Sequence, residues 1–434
     1  MVNDRQAGCV GPGGRCVKDL IELVSWFGWR APHVGSSVVS LPDPSFRDHS
    51  GEFVSFSTNN YLALSASPRL KAAAIEGIER YGVGNCESRL LTGNLAIYAE
   101  LENKLARSKG QARALLFPTG YLANVGTLSS LPRAAHYARP LGFTPSAPSE
   151  YAYFSDELNH ISIREGIRAS GAARVSYRHR DLNHLSTLLE RSAATNKIVV
   201  TDGVFSQDGD IAPIPELLRL AERHNAYLYI DDAHGTGVLG ATGGGVLEHF
   251  GVSSERVIYM GTLSKAYGAI GGFIATNAYL VEILRLTCPA FGFTSTLPPD
   301  QALAVSVAVD IVANEPEHRE RLWANHRYFV AKLKALPYQA TATDTPIVPL
   351  MIGDEKKAEE LATSLRTRSL HVDPIQFPAV PLGRARIRIQ LNAGHTPEQI
   401  DRLIEALRDN AHVLDPSVLA SSRAVAQPSA LSGR

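Results

Sequence analysis

The chain has 434 residues, 44% of them hydrophobic and 20% charged, with Lys plus Arg equal to Asp plus Glu at 43 each. That length exceeds what one small core needs and suits two domains. The balanced charge excludes a basic face built for nucleic acid or anionic lipid, and no apolar run reaches the ~18 residues of a membrane span.

Residues 1–50 read as an N-terminal arm. The start, "MVNDRQAGCVGPGG", lacks the apolar segment of a signal peptide, so a cytoplasmic location is expected. A helical pattern follows, "CVKDLIELVSWFGW", whose Trp26, Phe27 and Trp29 suit packing on the main body or on a second subunit. From Gly51 to Pro298 short apolar runs alternate with helical patterns. "RALLF" (113–117), "KIVVT" (197–201), "AYLYI" (226–230), "RVIYM" (256–260) and "GGFIAT" (271–276) lack polar alternation, as strands covered on both faces do. Helices such as "IPELLRLAERHN" (214–225) lie between them. This alternation predicts an α/β domain with a mostly parallel sheet. Residues 132–150, rich in Pro, Ala and Ser, read as a surface excursion. From 299 to 415 a linking helix leads to a smaller α+β domain. It holds the strand "ARIRIQLN" and a helix capped by Thr396 with Glu398 nearby. The Pro- and Ser-rich residues 416–434 read as a disordered tail. Cys9, Cys16, Cys86 and Cys288 are irregularly spaced, which suits free thiols and no metal site.

Ligands in open parallel sheets bind beyond the carboxyl ends of the strands, and the residues there carry the chemistry. After "RALLF", Gly120 opens a helix whose free N–H groups suit a phosphate. Asp202 and Ser206 follow "KIVVT". Asp231 and His234, three apart, follow "AYLYI"; they suit a metal pair lacking a third ligand, or a carboxylate fixing a protonated ring nitrogen. Thr262 and Lys265, again three apart, follow "RVIYM" in the stretch "MGTLSKAYGAIGGF", where Lys265 is the single charge. A shielded lysine there is suited to a Schiff base with a carbonyl. With His160 of "SDELNHISI" available to stack on a ring, these are the parts of a pyridoxal 5'-phosphate (PLP) site.

These segments, with "STNNYLALSASPRL", "SRLLTGN", "TDGVFSQDGDIAPI", "YIDDAHGTGVLGATGGG" and "FTSTLPP", resemble the α-oxoamine synthases, PLP enzymes of the fold-type I aminotransferase class, from about Phe53 to Leu407. The resemblance implies the following roles. Lys265 is the Schiff-base lysine and the proton-transfer group. His160 stacks on the cofactor, Asp231 pairs with its ring nitrogen, and Asp202, Ser206 and His234 lie close to the ring. Gly120, Tyr121 and Thr262 hold the phosphate, joined by Thr294 and Ser295 from the other subunit of a homodimer with shared sites. Asn59, Ser88 and Arg388 face the substrate, Arg388 as a bidentate carboxylate clamp. The implied reaction condenses a small amino acid with a thioester of coenzyme A or an acyl carrier protein, usually with decarboxylation, to an α-amino ketone. Another PLP reaction type and a non-catalytic synthase subunit are the alternatives. Four features depart from the usual pattern: "GNCESR" (84–89) in place of a Gly-rich turn, Tyr98 in place of a histidine, Gln376 in place of an arginine, and the long 132–150 segment. They argue against assignment to the biotin or sphingolipid branch, while "FPAVPLGRARIRIQ" is closer to the aminoketobutyrate ligase and aminolevulinate synthase pattern.

Overall fold

The structure is a computed structural model that describes residues 37–41, 44–144, 149–340 and 344–414. The N-terminal aromatic cluster and the 416–434 tail lie outside these residues. Thirteen strands are described in chain order: β1 Ser45–Asp48, β2 Gly51–Ser55, β3 Arg113–Phe117, β4 Tyr151–Asp156, β5 Ala173–Tyr177, β6 Asn196–Asp202, β7 Tyr227–Asp231, β8 Val257–Thr262, β9 Gly272–Thr276, β10 Ile347–Gly353, β11 Leu370–His371, β12 Pro374–Ile375 and β13 Ala385–Gln390.

Seven of them form the central sheet, in the order β3-β9-β8-β7-β6-β4-β5. The pairings from β8 through β5 are parallel, and β9 runs antiparallel to both neighbours. The five apolar runs seen in the sequence are all in this sheet, with ends shifted by at most two residues. Their lack of alternation has the expected cause. Along β7, Leu228 and Ile230 enter one hydrophobic core and Tyr229 the other; along β8, Val257 and Tyr259 face the first, Ile258 and Met260 the second. Period two sends successive side chains to opposite faces, and both faces are covered. Strands β4 and β5 escaped the sequence reading. β5 is mostly exposed, with only Tyr177 buried, so it lacks the apolar run of a central strand.

A second sheet pairs β10 with β13 and β13 with β12, all antiparallel. A third joins segments far apart in the chain: β2 pairs with β1 and, in parallel, with β11. Two long helices, Pro299–Asn314 and Glu317–Leu333, connect the central sheet to this part. The last helix is Pro397–Asp409, capped by Thr396 as expected. Its capping box uses Gln399, not Glu398, because the side chain that reaches back to the cap N–H must sit three residues on. The 132–150 segment is not simply a loop. Leu131–Arg133, Ala134–Ala138 and Arg139–Leu141 are short helical turns, since its alanines outweigh its prolines locally. Among the described residues no helix is long and apolar enough to cross a membrane.

Candidate active site

The carboxyl ends of β6, β7 and β8 open into a cavity of about 280 Å³. Its floor depends on close backbone approach. A Cβ on Gly272 would lie 2.6 Å from the backbone N and Cα of Gly120, so only glycine lets β9 pass beneath the helix Gly120–Ser130. That helix is capped by Thr119, whose side chain accepts from Leu122 N. The N–H groups of its first turn have no partner within the helix and make an anion site. Thr262, at the end of β8, packs against Gly120, and its hydroxyl bonds Ser264 Oγ at 2.8 Å. The turn that follows carries Lys265. It closes through Gly268 N→Lys265 O (2.9 Å) and Leu263 N→Gly271 O (3.0 Å). Gly268 has φ +67°, and a Cβ there would strike the Ser65 backbone at 2.5 Å.

One wall is built on Asp231. Its two oxygens accept from Asn124 Nδ2 (2.6 Å) and Ala233 N (3.1 Å). Asn124 is itself oriented, donating to Ser162 Oγ and accepting from Tyr229 OH. Asp202 is the register partner of Asp231 on β6 and accepts from His160 N. Burial, reinforced by Asp231, holds the Asp202 carboxyl well above the usual carboxylate range. His160 caps the helix Ile161–Ser170, and its Nδ1 bonds Ser162 Oγ at 2.7 Å. Burial lowers its pKa against the pull of Asp231, so the ring is neutral and free to stack.

Opposite lies the amine. Lys265 Nζ is 2.8 Å from His234 Nε2, and His234 Nδ1 is 2.7 Å from Tyr61 OH. Burial pushes Lys265 down to about 8, although Asp231 and Asp202 pull the other way. Burial, then the positive charges of Lys265 and Arg388, drive His234 well below its ordinary value. A neutral imidazole between an amine and a phenol admits two proton arrangements. Either Lys265 donates to Nε2 while Nδ1–H donates to Tyr61, or Tyr61 donates to Nδ1 while Nε2–H donates to a neutral amine. The proton on Lys265 thus couples to Tyr61 across the histidine.

Strand β13 supplies the remaining side. Arg386, Arg388 and Gln390 alternate with the fully buried Ile387 and Ile389, so the three polar groups share one face. Arg388 donates to Ser206 O (3.1 Å), while its Nε is buried with no hydrogen-bond partner among the described residues. Gln390 Nε2 donates to Asn59 Oδ1 (2.6 Å) and Tyr61 OH (3.3 Å). The 205–210 loop is held from behind by His179, whose Nδ1 and Nε2 bond Asp156 (3.1 Å) and Asp210 (3.0 Å). Burial opposes charge on that ring, but the two carboxylates outweigh it and raise His179 to about 10.

Of the residues expected at the site, Gly120, Tyr121, His160, Asp202, Ser206, Asp231, His234, Thr262 and Lys265 line this one cavity. Arg388 borders it through Ser206, and Asn59 stands one step further back, connected by Gln390 and Tyr61 to His234. Ser88, Thr294 and Ser295 do not line it. They gather elsewhere: Ser88 forms a β-bridge with Ser295, and Ser88 Oγ donates to Gly292 O. Asn124, Ser162, Tyr61 and Gln390 escaped the sequence reading. An asparagine one turn into an apolar helix, and polar residues at every second position of β13, were the available signals. The departures from the family pattern are accommodated locally. Tyr98 OH donates to Leu297 O, Glu87 accepts from Ser88 N, and Gln376 turns to Glu359.

PLP requires an anion site, a buried carboxylate for a protonated ring nitrogen, and an amine of lowered basicity. The cavity presents these as the first turn at Gly120, the Asp231 carboxylate and Lys265, so its residues fit the cofactor. The comparisons agree. Residues 51–407 match the aminotransferase class I and II family. The 8-amino-7-oxononanoate synthase 1 of Bacillus velezensis is 40% identical over 86% of this chain and 91% of its own. The 8-amino-7-oxononanoate synthase of Methylococcus capsulatus is 43% identical over 82% and 88%. Among solved structures, SPT with its PLP internal aldimine superposes with a TM-score of 0.82 at 30% identity, covering 91% of this chain and 98% of that one. The Sphingomonas wittichii serine palmitoyltransferase gives 0.81 at 28%, covering 92% and 98%. The unusual residues at 84–89, Tyr98 and Gln376 therefore do not separate the chain from these two branches. With the cavity and these relatives in agreement, the chain belongs to the aminotransferase class I and II family and, within it, to the PLP-dependent α-oxoamine synthases of fold-type I.

Proposed function

We propose that this enzyme is a C-acyltransferase that condenses a small amino acid with an acyl thioester of coenzyme A or an acyl carrier protein, with loss of CO₂, to an α-amino ketone. The observation that carries it is the Lys265–His234–Tyr61 chain beside Asp231, a proton-moving device on one side of a buried carboxylate. PLP, held by the helix start at Gly120, Thr262, His160, Asp231 and Lys265, would supply an electron sink for bonds at the amino acid's Cα. The protein's own residues do the rest. Lys265 Nζ, held near 8, moves the Cα proton close to neutral pH, and His234 and Tyr61 buffer that transfer. Arg388 offers its unpartnered Nε to the amino acid's carboxylate. Neutral His160 closes the ring face against water.

The same reading includes a cytoplasmic homodimer in which Thr294 and Ser295 of one protomer complete the phosphate site of its partner, with Ser88 beside them. Exposed apolar side chains around them support this: Val83, Leu91 and Phe293 are 79%, 66% and 85% exposed. It also includes a division near residue 298 between a cofactor-binding unit and a smaller C-terminal one. The test is free-thiol release from a panel of acyl-CoA and acyl-carrier-protein donors with each amino acid. Release with alanine, glycine or serine is expected. Formation of a keto acid without thiol release would make the enzyme an aminotransferase instead.

A further inference from the structure

Asn124 stands one turn into the helix Gly120–Ser130, whose other buried residues include Ala123 and Leu128, and it is itself only 1% exposed. An amide buried this deeply costs free energy unless its polar atoms are partnered. Here both atoms are. Nδ2 donates to Asp231 Oδ2 (2.6 Å) and to Ser162 Oγ (2.8 Å), and Oδ1 accepts from Tyr229 OH (2.7 Å). The partners fix which end of the amide is which. An ionised carboxylate only accepts, so Nδ2 faces Asp231, and the Tyr229 phenol donates to Oδ1. The direction continues outward. Ser162 Oγ accepts from Asn124 and keeps its own proton for His160 Nδ1 at 2.7 Å, and Ser162 N donates to the same nitrogen at 3.3 Å. Nδ1 is therefore an acceptor, and the proton of the neutral His160 ring sits on Nε2. One amide thus ties the Asp231 carboxylate to the stacking histidine. Asp231 still has capacity for a ligand. Each of its oxygens takes one donor, from Asn124 and from Ala233 N, and a carboxylate accepts about four.

We propose that Asn124 is a positioning residue that keeps Asp231 ionised and aimed at the ring nitrogen of PLP. The proposal rests on the placing of Asp231 at that nitrogen. A neutral donor suits the task better than a cation. An arginine or lysine in its place would also hold the carboxylate as an anion, but its charge would oppose the protonated ring that Asp231 has to bind. The Asn124 N–H lowers the cost of ionising Asp231 and leaves the negative charge for the cofactor. Among the described residues the titratable groups around Asp231 are Asp202 on β6, Tyr229 on β7, Asp232 just beyond it, His160 and Lys265. The two carboxyls disfavour a further negative charge beside them, and the amide acts against that.

The test reads a proton. Apoprotein is reconstituted with PLP isotope-labelled at its ring nitrogen, and the nitrogen NMR signal is followed against pH. Wild type should hold the ring proton through neutral pH. Asn124→Leu puts an apolar group of similar size in the amide's place. The pH at which the ring nitrogen loses its proton should then fall by about one unit, and PLP should bind about tenfold more weakly. Asn124→Ala leaves room for about one water, which can donate to Asp231 instead, so both of its shifts should be smaller. A packing role predicts the reverse order, because alanine leaves the larger hole. Leu128→Ala, at a fully buried position of the same helix outside this network, should lower stability and leave the ring nitrogen unmoved. The proposal is overturned if Asn124→Leu changes neither reading, if Asn124→Ala exceeds it, or if Leu128→Ala moves both as far. In apoprotein with labelled histidine, the His160 signals, identified by their loss in His160→Gln, should show the proton on Nε2. A proton on Nδ1 would contradict the bond directions and overturn the proposal too. A wild-type ring nitrogen that carries no proton would remove the Asp231 assignment along with it, whereas unmoved variants around a protonated ring would remove the role of Asn124 alone.

Discussion

Two turns of this chain carry residues of the expected cofactor site, and they have opposite surroundings. The turn after β8 holds Lys265 against His234 inside a shell that includes the buried Leu263, Ala266 and Tyr267. The turn at 292–296 holds Thr294 and Ser295 beside a fully solvent-facing Phe293 and bonds to the 88–91 segment. In the first, removal of water has changed the chemistry of the groups: an amine near 8, a neutral imidazole and, beside them, a carboxyl held above its usual range. In the second, no such change accompanies the hydroxyls, and the apolar surface around them suits another protein. A residue's type is the same in both places, and burial decides what it can do.

The largest expected effect would break this comparison directly. Lys265→Ala alone should reduce thiol release by roughly 10³-fold or more. Thr294→Asp, which sets a carboxylate where a phosphate is expected, should also inactivate the enzyme. If the second turn serves the partner's cavity, co-expression of the two variants should restore about a quarter of wild-type activity, because half of the dimers are mixed and each has one intact site. No recovery would mean that the 292–296 turn does not serve the partner's cavity.

A smaller effect concerns what holds the first region. His179→Gln leaves Asp156 and Asp210 without their shared cation, and Asp156 is buried. It should lower stability by about 3 kcal/mol in urea unfolding. Because the folded pKa is raised to about 10, the charged ring's contribution is full below its ordinary value near 6.5. It declines above that and is lost as pH rises through about 10, so the gap between wild type and variant should close over that range. A gap that widens with pH would mean the ring is held neutral. The smallest effect is spectroscopic. Cofactor uptake by the apoprotein, followed in the visible band, should rise with pH around a midpoint of about 8. An ordinary lysine midpoint near 10.4 would show that burial does not tune Lys265.

Much of this was readable from particular residues. The apolar runs ending at Thr201, Ile230 and Met260 announced buried parallel strands, and whatever followed such strands had to lie along one edge of the sheet. That argument placed Asp202, Asp231 and Lys265 together before any coordinates. It did not reach Asn124, because an asparagine within a helix is as often solvated as buried. Nor did it reach Tyr61, whose aromatic ring fits a core equally well. Both orient a site residue through pairings 107 and 173 positions apart in the chain. Strand β5 was missed because an edge strand needs no apolar run to pair.

What the amino-acid order determined by itself was local: which runs are strands, where glycine is required, and which residue types stand at the strand ends. The tertiary structure decided the proton states and the partition of the site. Asp202 is held above the usual carboxylate range because β6 and β7 align it with Asp231 away from water, and His234 is neutral because of burial and then the charges of Lys265, in the turn after β8, and Arg388, on β13. The same packing sent Ser88, Thr294 and Ser295 to a different surface. Charge states and distances between remote segments depend on three-dimensional proximity and desolvation, and neither is a property of a residue's neighbours in sequence.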